Sequence, residues 1–157
     1  MGFDYKVLEN PEIFQENRLP AHSSHVLFKS RKEYELGSSA YRYSLDGVWR
    51  FAYAKNLSMT IAGFEKTDYD CKCWDYIKVP AHIQMEGHDL PRYNNVHYPW
   101  DGREDLLPGD IPKEYNPVGS YVKYFSLSED FVKSGESFRI SFQGVESAFA
   151  LWLNGNI

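Results

Sequence analysis

The stretch best equipped for chemistry is Pro91-Arg92-Tyr93-Asn94-Asn95-Val96-His97-Tyr98-Pro99-Trp100. It sets large aromatic rings beside two carboxamides, with a proline close to each end. Proline fixes φ and has no N–H to donate, so the run fits badly inside a sheet and reads as a stiff loop. An aromatic face covers the C–H face of a sugar, and a carboxamide both donates to and accepts from hydroxyls. A few placed polar groups on an apolar lining is how small-ligand sites are usually built. On composition alone, packing of the same aromatics onto a core accounts for them equally well.

The other reactive side chains form weaker patterns. Acids are paired at Asp68 and Asp70, Glu104 and Asp105, and Glu129 and Asp130. Glycoside hydrolysis needs two carboxyl groups at a set separation across the bond. None of these pairs has a spacing that suggests it, and their polar surroundings read as solvated charge. His22, His25, His82, His88 and His97 make no metal-binding pattern such as His-Glu-x-x-His. Cys71 and Cys73 are the only cysteines. One intervening residue suits neither a stable bridge nor a zinc site, so both read as reduced thiols. There is no phosphate-binding glycine loop and no Gly-x-Ser-x-Gly elbow.

The elements that must position these groups are strands. At 157 residues and 18.3 kDa the chain fits one domain with a real core. A net charge of −5 and a pI near 5.5 exclude a nucleic-acid surface, because no basic patch is concentrated anywhere. The 17% aromatic share suits a β-rich fold and a carbohydrate-facing surface alike. No basic start is followed by an apolar run, and no apolar stretch approaches the roughly eighteen residues that span a membrane. With reduced thiols this predicts a cytoplasmic protein, in which the Asn56-Leu57-Ser58 sequon is incidental.

Along the chain, 1–43 shows no sustained period and reads as an extended arm, held down by Ile13, Phe14, Leu19, Val26, Leu27 and Phe28. After the Asp46-Gly47 turn signal, Trp49, Phe51 and Tyr53 alternate on one face of a strand. A second strand spans Trp74 to Pro80. A third runs from Gly119 to Leu127, with Tyr121, Phe125 and Leu127 in phase. Two more are predicted where Phe138, Ile140 and Phe142, and then Phe149, Leu151 and Leu153, alternate with smaller or polar residues. Ser128 is placed to cap a short helix, with Glu129 and Asp130 at its positive end and Gly135 to stop it. The span 101–117, interrupted by Pro108, Pro112 and Pro117, reads as a long surface loop. Short strands and long loops predict an antiparallel sandwich over 44–157. Asn154-Gly155 is a strong hairpin signal followed only by Asn156 and Ile157, so the chain is expected to be a piece of a longer one.

Several motifs then coincide in order: Asn17-Arg18-Leu19-Pro20-Ala21-His22, Leu45-Asp46-Gly47-Val48-Trp49-Arg50-Phe51, the run from Pro91 to Pro99, Asn116-Pro117-Val118-Gly119-Ser120-Tyr121, and Gly144-Val145-Glu146-Ser147-Ala148-Phe149. Together they resemble the N-terminal sugar-binding domain of glycoside hydrolase family two. The arm and the aromatic loop are similar to those of bacterial cytoplasmic β-galactosidases. The resemblance implies an all-β, jelly-roll β-sandwich, galactose-binding-like and truncated at its C-terminus. It implies retaining hydrolysis of terminal β-galactosides such as lactose by two Glu on a (β/α)8 barrel, in the same chain or a partner subunit. It also implies assistance by magnesium and sodium, and a homo-oligomer. By resemblance Asn95 hydrogen-bonds the galactosyl group, Val96 edges the same pocket, and Trp100 is a further contact at a variable position. No catalytic or metal-binding residue is implied within this segment, which alone is expected to be inactive. The alternatives are a stand-alone carbohydrate-binding module, a purely structural domain for subunit assembly, or a sister glucuronidase or mannosidase.

Overall fold

The computed structural model describes residues 4–90, 102, 104–107, 109–133 and 137–157. The chain divides into two compact units. One comprises Met1–Arg18, Asp46–Lys123 and Leu151–Ile157, and the other Leu19–Leu45 and Tyr124–Ala150.

The first unit is built on an antiparallel sheet of β1 (Gly47–Ala54), β2 (Asp75–Val79) and β3 (Val118–Val122), in the order β2-β1-β3. Gly47 starts β1 at φ 115°, a conformation that side-chain-bearing residues avoid. The alternation that follows buries Phe51 to 1% exposure, at the middle of a strand paired on both sides. Across the ladder Phe51 faces Tyr121, their ring centroids 4.8 Å apart, and Trp49 meets the same tyrosine edge-on at 6.5 Å. Ile77 is buried on β2 while Tyr76, opposite in phase, is exposed. The Tyr76 ring is covered by the Arg50 guanidinium at 4.0 Å, whose Nη1 also donates to the carbonyls of Lys72 and Trp74. A second aromatic cluster forms where Trp74 meets Phe64 and Tyr69, and Phe64 meets Trp152. Cys71 is a buried free thiol and Cys73 an exposed one.

The strand end and the turn expected from the sequence both appear. β2 ends at Val79, directly before Pro80. Asn154 and Gly155 take φ of 51° and 79°, and Leu153 and Asn156 exchange two backbone hydrogen bonds across them. β3 is shorter than its sequence pattern. Its ladder stops at Arg50↔Val122, and beyond that point the Val48 carbonyl accepts from the Lys123 ammonium.

In the second unit, α2 (Glu129–Lys133) starts at Ser128, whose Oγ accepts from the Phe131 amide at 3.2 Å as its position predicts. The region read as an extended arm also carries a helix, α1 (Arg31–Leu36), capped by Ser30 and closed by Gly37 at φ 65°. Glu33 Oε2 reaches back to the Lys29 amide and also takes that of Ala40. Phe131 sits between Tyr43 and Phe138. The strands predicted through Phe138–Phe142 and Phe149–Leu153 form no ladder among the described residues, and their apolar side chains are exposed. Alternation marks a face, but a strand also needs a neighbour to take its amides and carbonyls. The architecture is mostly β with short helices, an antiparallel arrangement consistent with a jelly-roll domain. Among the described residues no helix is long and apolar enough to cross a membrane.

Candidate functional site

Asn95, Val96 and Trp100, the residues that the sequence singles out for sugar contact, lie outside the described residues. What the structure describes is the ground on either side of them, all within the unit that holds the sheet.

On the N-terminal side the chain leaves β2 and coils through 82–88. The Met85 and Glu86 amides donate to the His82 carbonyl, and His88 to that of Ile83. This winding lays the His88 ring 4.4 Å from that of Phe51. Asp89 follows, and its Oδ1 accepts from the Tyr115 hydroxyl at 2.6 Å. The same hydroxyl hydrogen-bonds Tyr53 of β1. Burial, then these two partners, push the Tyr115 phenol up to about 12, so at ordinary pH it is a firm donor.

On the C-terminal side stands Glu104. Its Oε2 accepts from the Lys113 amide at 2.7 Å, and its Oε1 from those of Glu114 at 2.8 Å and Tyr115 at 3.3 Å. The Lys113 amide foremost, with the other two, holds the carboxyl below its usual range. A carboxylate accepts several N–H groups at once, and such charge-assisted bonds are stronger than neutral ones. The receiving segment is itself anchored to the end of β1. The Asn116 amide donates to the Lys55 carbonyl at 3.1 Å, and Asn56 Nδ2 to the Glu114 carbonyl at 3.3 Å. Asp110 closes a smaller turn by accepting from the Leu107 amide.

Read from the sequence as solvated charge, Glu104 also takes on these backbone amides, which the sequence does not show. Its donors stand nine, ten and eleven residues away, a spacing that no local motif records. Other acids from the same reading are also engaged structurally. Asp70 takes the Lys72 amide and ammonium, which lower its pKa, and Glu129 pairs with Lys133 one helical turn on. Among the described residues no group of three His, Cys, Asp or Glu could hold a metal ion. The arrangement is suited to holding Asp89 and Glu104 on the 113–116 segment, and that segment on the end of β1.

Comparison with known proteins adds the lineage. Residues 43–157 match the model of a family described as glycosyl hydrolases family 2, sugar binding domain. A beta-galactosidase of Halalkalibacterium halodurans is 48% identical over 94% of this chain, and one of Clostridium acetobutylicum 46% identical, also over 94%. A beta-galactosidase large subunit of Leuconostoc lactis is 38% identical over 95% of the chain. The chain spans 14%, 16% and 25% of the lengths of these three proteins.

Proposed function

Glycosyl hydrolases family 2 is the family to which this chain belongs, through its sugar binding domain, and from that premise we propose that it is the N-terminal part of a retaining β-galactosidase. The substrates are terminal, non-reducing β-D-galactosides of the lactose type. One observation carries this reading: relatives named beta-galactosidase match along nearly the whole chain, so that its Tyr93–Pro99 run stands in a β-galactosidase context.

In this reading Asn95 supplies the chemistry of the segment. Its carboxamide orients galactosyl hydroxyls in a partly desolvated pocket, with Val96 at the edge and Trp100 as a further contact. Recognition is strong there because a hydroxyl left without its partner away from water costs about 1–3 kcal/mol. Bond cleavage belongs to two glutamates on a barrel outside this segment, in the same chain or a partner subunit. Magnesium and sodium are likewise assigned outside it. The full protein is assigned to the cytoplasm, as a homo-oligomer.

The test uses the full-length protein with nitrophenyl β-galactoside, β-glucuronide and β-mannoside. The galactoside is expected to be turned over fastest, and Asn95→Ala to lower its kcat/KM about tenfold to a hundredfold. The 157-residue segment alone is expected to hydrolyse none of the three. Preference for glucuronide or mannoside would reject the substrate class. Unchanged kinetics in a folded Asn95→Ala protein would reject the role of that residue.

A further inference from the structure

We propose that a cleft of about 410 Å³ in the unit of Leu19–Leu45 and Tyr124–Ala150 binds a neutral saccharide, through residues separate from those of the galactoside reading. It is lined by Lys29, Ala40, Tyr41, Ser128, Asp130 and Phe131, all within that one unit. Its walls are set by side chains that bind backbone. On one side Glu33 Oε2 accepts from the Lys29 amide at 2.8 Å and from the Ala40 amide at 3.3 Å. Ser39 Oγ accepts from the Tyr41 amide at 3.1 Å and donates to the Leu27 carbonyl. Three lining residues thus have their backbone fixed by two polar side chains that do not line the cleft. On the other side Ser128 Oγ accepts from the Phe131 amide, and the Phe131 ring is held between Tyr43 and Phe138. Walls fixed in the folded state leave less to be ordered when a ligand arrives.

The groups that remain are those a sugar requires. Among the described residues the Lys29 ammonium, the Asp130 carboxylate and the Tyr41 hydroxyl have no partner, and Tyr41 is 48% exposed with no ring packed on it. A carboxylate takes hydroxyl protons, an ammonium donates to hydroxyl oxygens, and an aromatic face covers the C–H face of a sugar ring. One cation and one anion leave the lining without net charge. A neutral polyol therefore meets no uncompensated charge there, whereas a phosphate or a polyamine does. The volume lies within the range of small-ligand pockets and suits a mono- or disaccharide.

Saturation-transfer NMR and calorimetry on the full-length protein test this with maltose and cellobiose. Neither is a β-galactoside, and isopropyl thio-β-galactoside is added first to fill the galactoside site. At least one of the two disaccharides is expected to bind. Tyr41→Ala and Asp130→Asn are each expected to weaken it about threefold to tenfold, by removing the ring face and the charged acceptor. Both residues are exposed, and an unchanged urea midpoint shows that each variant is folded. Asp130→Asn decides the matter if Tyr41→Ala fails to fold. No binding of either disaccharide, or binding undiminished in both variants, would overturn the site. Binding of glycylglycine in their place would overturn the ligand class, since a zwitterion also matches one cation and one anion. The galactoside reading rests on other residues and stands or falls apart from these outcomes.

Discussion

At the scale of single residues, the consequential groups are a carboxylate and a phenol whose folded surroundings shift their titration in opposite directions. Backbone amides hold the Glu104 carboxyl below its ordinary value, so protonation favours the unfolded chain. Its contribution is full above the ordinary glutamate pKa of about 4.3 and is lost as the pH falls through the lower folded value. Urea melts across that range are expected to show the stability gap between wild type and Glu104→Gln closing with acid. A gap that is constant with pH would mean that the ionised form is not what the amides recognise. Tyr115 behaves the other way. Its phenol is raised to about 12, so its stabilisation is present below about 10 and lost as the pH climbs through 12. The ultraviolet difference between wild type and Tyr115→Phe is expected to isolate one phenol titrating near 12. Neither residue stands out in the sequence as part of a site, because the partners of Glu104 and Asp89 are brought together by the course of the chain. Asn95 stands out for the opposite reason: its neighbours in sequence are themselves the pattern.

At the scale of elements, the strand that organises the sheet unit is β1, and its packing has a checkable weak point. Gly119 on β3 sits opposite Tyr53, and a Cβ there would lie 2.8 Å from Cε2 of Phe51 and 2.8 Å from Cε2 of Tyr121. Phe51 is buried and held on both sides, so its ring has little room to yield. Gly119→Ala is expected to destabilise the fold by about 1–3 kcal/mol, as overpacked cores do. It would lower the urea midpoint with an unchanged slope. A midpoint equal to that of wild type would show that the ring can move aside. The legibility of the elements follows the same physics. Trp49–Tyr53 and Trp74–Pro80 were readable because alternation, turn glycine and terminal proline all act within a few residues. The α2 helix was readable from Ser128. The signals for α1 were present in Ser30-x-x-Glu33 and Gly37, but its six residues are too few to show a helical period. Phe138–Phe142 and Phe149–Leu153 were overread, because a hydrophobic face says nothing about which strand will pair beside it.

At the scale of the whole chain, burial is unequally shared. The described buried side chains, Phe51, Ala54, Cys71, Trp74, Ile77 and Ser120, all belong to the unit that carries the sheet. In the unit of Leu19–Leu45 and Tyr124–Ala150 no described residue is buried, and Phe138, Ile140, Phe142 and Phe149 remain exposed. Regions with little buried apolar surface and with backbone hydrogen bonds open to water unfold locally at low free energy. For the 157-residue chain, hydrogen exchange is therefore expected to be slowest at the amides of β1, which has a neighbour on each side, and intermediate at β2 and β3. Exchange in α1, α2 and 137–150 should approach that of an unprotected chain. Limited proteolysis follows from the same inequality, with first cuts within Leu19–Leu45 or 137–150 and the sheet unit cut later. Equal protection in both units would mean that they open as one, and that exposed apolar surface is a poor guide to local stability in this chain. The expected gradient also reaches the 113–116 segment: Tyr53, Lys55 and Asn56, which anchor the segment holding Glu104, lie on or directly after β1. The strand expected to be best protected is then the one to which the segment holding Glu104 is tied.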